Sequence, residues 1–217
     1  MSVPWPTSAG AVAANVRNFL AVALKPGTAN GGAVATPSGW TPIVDHIGGG
    51  YGGTAGGNSR IYLFYKDNDN TASGSVSVAL TPDGASGVAS ASISRLEKLK
   101  GTWQTMATAT AEATVNGLNG IYTPSAMIVS PGDILIAALG FHDDLSSAVS
   151  VSAPSLSLSG MTPNPALSWG QSAGFKVGHG IFPLRMRRGS DTLGALTFSL
   201  PNGDCRGPFV AARLRVR

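Results

Sequence analysis

The stretch SAMIVSPGDILIAAL, Ser125–Leu139, decides the fold class. Pro131 and Gly132 stand in its middle, where proline removes a backbone donor and the pair punctuates a turn, so no helix runs through it. What remains is a short extended piece, a turn and a buried strand. An earlier segment, AGAVAANVRNFLAVAL (Ala9–Leu24), is rich in Ala, Val and Leu and by propensity alone reads as a short helix. Laid on the first stretch, NFLAVAL falls on DILIAAL, with Leu20 on Leu135 and Leu24 on Leu139. Both segments are therefore predicted to be extended.

The alignment continues along the chain. SGWTPI (Ser38–Ile43) is echoed by SGMTPN (Ser159–Asn164), and Ile61 and Tyr62 face Ile181 and Phe182. In the same ungapped register Gly74, Val76, Val78 and Leu80 face Gly194, Leu196, Phe198 and Leu200, and Gly87 falls on Gly207. Single matches are cheap in a chain this rich in small residues, but the shared order of blocks is not. It predicts one unit used twice, residues 1–101 and 102–217. No Pro- or Ser-rich linker separates the halves, so the two are expected to pack closely.

Composition agrees with an all-β chain. Only 12% of residues are charged, and 29 glycines punctuate short apolar runs, which favours many strands and tight turns. In SVSVAL, Val76, Val78 and Leu80 alternate with Ser75, Ser77 and Ala79, the pattern of a half-buried strand. Each unit is read as FLAVAL-, WTPIVDHI-, RIYLFYK-, SVSVALT- and VASASISRLEKL-like strands, with TATAEATV an extra strand opening the second. Short connections imply antiparallel pairing. The expectation is two tandem, closely packed, jelly-roll-like β-sandwich lobes.

Several functional classes are disfavoured. The 15 basic and 11 acidic residues leave a net charge of +4, too small and scattered for a nucleic-acid groove. Asn15, Arg17 and Asn18 break the most apolar segment well short of the about 18 to 20 residues of a membrane span. MSVPWPTSAG lacks the charged and apolar regions of a secretory signal, so a soluble protein made in a cytoplasm is expected. A single cysteine, Cys205, excludes an intrachain disulfide; it neighbours Arg206 but has no evident histidine to activate it.

Candidate sites each have a plainer alternative. In KDNDNTASG (Lys66–Gly74), Asp67 and Asp69 begin a calcium-loop pattern, but its sixth and twelfth positions are Ala72 and Val78, and a hairpin turn accounts for the same residues. His142, Asp143 and Asp144, with Asp45 and His46, supply metal-ligand chemistry, although neighbours on a strand point to opposite faces. There is no nucleophile elbow, and GGGYGGTAGG (Gly48–Gly57) lacks the ending of a phosphate cradle. Trp5, Trp40, Trp103 and Trp169 suit either packing or a sugar-stacking platform. Basic residues gather in RMRR (Arg185–Arg188) and RLRVR (Arg213–Arg217), where a strand would set Arg213, Arg215 and Arg217 on one side and Leu214 and Val216 on the other.

The PGDILIAAL strand, the Pro-Ser-Gly-Trp-Thr-Pro turn at residues 37–42 and the RIYLFYK strand with its Gly/Ser-rich hairpin together resemble a loose group of β-sandwich structural proteins of tailed bacteriophages. The second unit departs from that pattern with Met161 for the tryptophan and GIFPLRM for the aromatic strand. The resemblance implies a non-enzymatic virion component, with head decoration favoured over a tail or fibre accessory. It implies contacts with capsid or tail proteins and with copies of itself, and it transfers no catalytic residue; from the residues themselves no metal, cofactor, nucleic acid or membrane is expected. Expected contact residues lie in the first residues (Met1–Ser8, with Trp5), the glycine loop (Tyr51), Arg185, Arg187, Arg188, Arg213, Arg215 and Arg217. The alternative is a carbohydrate- or receptor-binding module of a tail fibre.

Overall fold

The computed structural model describes residues 1–6, 16–25, 33–48, 59–71, 73–81, 88–97, 102–113, 119–122, 127–143, 155–156, 161–163, 169–171, 176–186, 191–192, 196–199 and 207–216. These are all-β. In the first half lie β1 (Ser2–Pro4), β2 (Val16–Lys25), β3 (Ala33–Val34), β4 (Thr41–Gly48), β5 (Ser59–Asp67), β6 (Ser75–Ser77), β7 (Leu80–Thr81) and β8 (Val88–Glu97). In the second lie β9 (Trp103–Ala113), β10 (Asn119–Tyr122), β11 (Ile128–Val129), β12 (Ile134–Asp143), β13 (Ser155–Leu156), β14 (Met161–Pro163), β15 (Trp169–Gln171), β16 (Lys176–Met186), β17 (Asp191–Thr192), β18 (Leu196–Ser199) and β19 (Gly207–Val216).

Two large antiparallel sheets organise the chain. The first has the order β4-β5-β2-β8; the second has the order β14-β16-β12-β19-β9, with β15 also on β16. Smaller sheets pair β1 with β6, β3 with β7, β11 with β17, and β10 and β13 on either side of β18. The predicted boundary at residue 101 falls between β8 and β9, outside the described residues. The segment from Val16 to Leu24 is strand and not helix.

Local chemistry explains where the strands begin. Trp40 N–H donates to Pro37 O at 3.0 Å, and Asp133 N–H donates to Ser130 O at 2.9 Å. Both turns place glycine third, Gly39 at φ 75° and Gly132 at φ 85°, where a side chain is strained. Each turn delivers the chain into a strand of a large sheet: Thr41 opens β4 and Ile134 opens β12.

Alternation along β2 determines the layering. Phe19, Ala21 and Ala23, with Ile61 and Leu63 of β5, meet Ile136, Ala138, Val210, Ala212 and Leu214 of the second sheet. The two large sheets thus share one core between them. Leu20, Val22 and Leu24 point the other way, into Val3, Trp5, Val34, Trp40, Val76, Val78 and Ile93. Leu135, Ala137 and Leu139 on the far face of β12 are buried as well. Strands buried on both faces must be apolar throughout, which is why FLAVAL and ILIAAL lack alternation.

The shared core is closely spaced. A Cβ built on Gly140 would lie 3.4 Å from Ala23 Cβ, 3.5 Å from Ile61 Cβ and 3.6 Å from Pro208 Cγ. The crossing is reciprocal: β19 lies over β4 and β5, while β8 lies over β15 and β16.

Candidate functional site

Polar side chains concentrate where strands end, and the richest group surrounds the start of β2. Arg17 is buried, with Nε and Nη2 each donating to Asp67 at 2.6 Å in a bidentate pair. Its guanidinium carbon lies 4.1 Å from the Tyr65 ring centroid, and Nη1 reaches Thr105 Oγ1 of β9 at 3.4 Å, so this arginine links the two halves. Asn18, fully buried, donates to Asp69 O at 2.7 Å and accepts from Arg95 Nε at 2.8 Å. Arg95 also donates to Thr71 O at 2.6 Å.

The turn from Lys66 to Thr71 therefore directs its carboxylates to different partners. Asp67 is held by Arg17, whereas Asp69 takes Lys66 Nζ at 2.7 Å and both the amide and the hydroxyl of Thr71. Burial would raise the Asp69 carboxyl, but hydrogen bonds from Lys66 and Thr71 outweigh it and lower the group to about 2. Asn68 takes the left-handed conformation (φ 56°) that the turn needs. The segment is a turn, as in the plainer alternative, but not a hairpin: β5 pairs with β2 and β4, while the next strand, β6, pairs with β1 in another sheet. Among the described residues, no group of three His, Cys, Asp or Glu side chains converges as metal ligands. Asp45 pairs with Arg60, while Asp144 and Cys205 lie outside the described residues.

A second cluster sits at the Ser130–Asp133 turn. Asp133 is fully buried, accepts Ser130 N–H at 2.8 Å and takes Arg215 Nε at 2.7 Å, with Arg213 Nε 3.9 Å away. Arg213 also donates to Ile128 O. The hydrogen bond and charge of Asp133 raise the Arg215 pKa above its ordinary value. On β19, Leu214 enters the shared core while both arginines take the opposite side, as alternation predicts. Their guanidiniums are engaged within the chain.

The other expected contact residues fare differently. Trp5, only 8% exposed, stacks on Trp40 with centroids 5.8 Å apart and lies under the Arg95 guanidinium, so most of its ring packs within the chain. The first residues are tied down within the chain. Met1 donates through its amine to Val78 O at 2.6 Å, and Val3, paired with Val76 of β6, is buried. Arg185 stands in β16 opposite Ile134 and Thr162. Tyr51, Arg187, Arg188 and Arg217 lie outside the described residues.

Sequence reasoning missed the Arg17 and Asn18 network as a structural centre. The signal was present: polar residues interrupt an apolar strand at Arg17 and Asn18, and a polar group in a doubly buried strand requires a partner. Among the described residues, no helix is long and apolar enough to cross a membrane. No family model, curated protein or solved structure matches the chain.

Proposed function

We propose that this is a non-enzymatic structural protein of a tailed-bacteriophage virion, decorating or reinforcing the particle through contacts with capsid or tail proteins and with copies of itself. Head decoration is the favoured position. The observation that carries the proposal is how the charged groups are used. Arg17 with Asp67, Arg60 with Asp45, Lys66 with Asp69, and Arg213 and Arg215 with Asp133 brace strand ends and turns. Such pairing suits a rigid block whose work is done by its surfaces, not by a convergent polar pocket.

The same proposal takes the chain as a tandem duplication of one β-sandwich unit, residues 1–101 and 102–217. Strand register supports this independently of residue identity. The sequence sets Leu24 on Leu139 and Gly87 on Gly207; in the sheets Leu24 faces Ala89, and Leu139 faces Phe209, two residues after each of those glycines. Likewise Val22 faces Tyr62, and Ala137 faces Phe182. Pro42 faces Phe64, and Pro163 faces Leu184. The reciprocal crossing of the sheets, β19 over β4 and β5 and β8 over β15 and β16, supports the same reading.

Cosedimentation of the purified protein with phage heads and with tails tests the particle role. Binding to heads supports decoration, and binding to tails relocates the protein on the particle. Binding to neither, with a glycan shifting tryptophan fluorescence, replaces the proposal with a receptor-binding module; Trp5 and Trp40 are already occupied by packing against each other.

A further inference from the structure

Edge strands present unpaired backbone groups, and proteins that avoid self-association blunt them with proline, lysine, bulges or brevity. Three outer strands of the large sheets carry such features. β4 contains Pro42 and a register shift between Pro42 and Val44, β14 is three residues long with Pro163, and β8 carries Arg95. The fourth differs. β9, WQTMATATAEA, runs eleven residues without proline, lysine or arginine, and among the described residues only β19 pairs with it.

The register shift between Arg213 and Leu214 leaves Met106 as an extra residue, so β9 is regular from Ala107 to Ala113. That stretch, Ala-Thr-Ala-Thr-Ala-Glu-Ala, reads almost the same in both directions about Thr110. We propose that β9 pairs antiparallel with β9 of a second copy about a twofold axis through Thr110, joining two six-stranded sheets into one. In this register Thr110 faces Thr110, Ala109 faces Ala111, Thr108 faces Glu112 and Ala107 faces Ala113. No like charges oppose, and a threonine pair sits at the centre. Centring on Glu112 would oppose two carboxylates, and centring nearer Met106 would run into the bulge. Twofold pairing of this kind closes on itself, so growth stops at the dimer.

The inference rests on the assembly proposal only in taking a second copy as the occupant. Sedimentation velocity over a wide concentration range is expected to give a species of twice 21.9 kDa. Thr110→Lys sets two lysines opposite each other and weakens the dimer at least about tenfold, whereas Thr108→Lys, with the same added charge, faces Glu112 and preserves it. In a Cys205→Ser chain, Thr110→Cys is expected to form a disulfide-linked dimer under mild oxidation and Thr108→Cys is not, which covers the case of a lysine variant that misfolds. A wild-type monomer at every concentration overturns the inference, as does a Thr110→Lys dimer of wild-type affinity or cross-linking through position 108 in place of 110. A monomer that still binds heads would overturn this pairing alone; a dimer that binds neither heads nor tails would overturn the virion role alone.

Discussion

Phe19→Ala probes whether the two large sheets unfold as one body. Phe19 is fully buried in the shared core, which residues of both large sheets form. Removing the ring loses about 2 kcal/mol of transfer free energy. A residual cavity of about 80 Å³, at about 24 cal/mol per Å³, adds about 2 kcal/mol more. The expected destabilisation is therefore about 4 kcal/mol, and for a chain of this length it lowers Tm by about 8 to 16 °C. Calorimetry and urea unfolding followed by circular dichroism read both quantities. Because the lining of the cavity comes from both halves, a single transition should move as a whole. Two separable transitions, with only the earlier one displaced, would refute the shared core as the source of cohesion.

Other perturbations address the clusters at the strand ends. Asp133→Asn leaves Arg213 and Arg215 facing a neutral group and should lower stability in urea unfolding, by less than the loss of a fully buried pair because both arginines keep access to solvent. Gly132→Ala meets no atom within 4 Å of the added Cβ, so its cost is conformational, about 1–2 kcal/mol by the same measurement. Asp69 has a carboxyl lowered from 3.8 to about 2, so its contribution is full above about pH 4 and is lost as pH falls toward 2. Stability measured across that window should fall less steeply in Asp69→Asn than in the parent chain. Gly140→Leu overfills the contact with Ala23 and Ile61 and is expected to destabilise by about 1–3 kcal/mol in thermal melts.

The candidate surfaces were less legible in the sequence than the strands. RLRVR displayed its alternation plainly, and Leu214 does face inward. Nothing local, however, reveals that Arg213 and Arg215 meet Asp133, because that carboxylate lies more than seventy positions earlier and arrives through β12 pairing with β19. Trp5 was an expected contact as part of the first residues, Met1–Ser8. A short strand paired with β6 brings it onto Trp40. The carboxylates of the Lys66–Thr71 turn suggested a cation, and the cations that meet them are side chains of Arg17 and Lys66.

What the sequence determined by itself was local and periodic. Pro131 with Gly132 forbade a helix, and alternation in SVSVAL required a strand. These follow from steric rules and from the two-residue period of a strand, which a few neighbouring residues suffice to express. Only the tertiary structure decided that the large sheets of the two halves pack face to face through Phe19, Ala21, Ile136 and Val210. An unbroken apolar strand says that both its faces are covered, but not by what, since hydrophobic burial is non-directional and any complementary apolar face removes the same area from water.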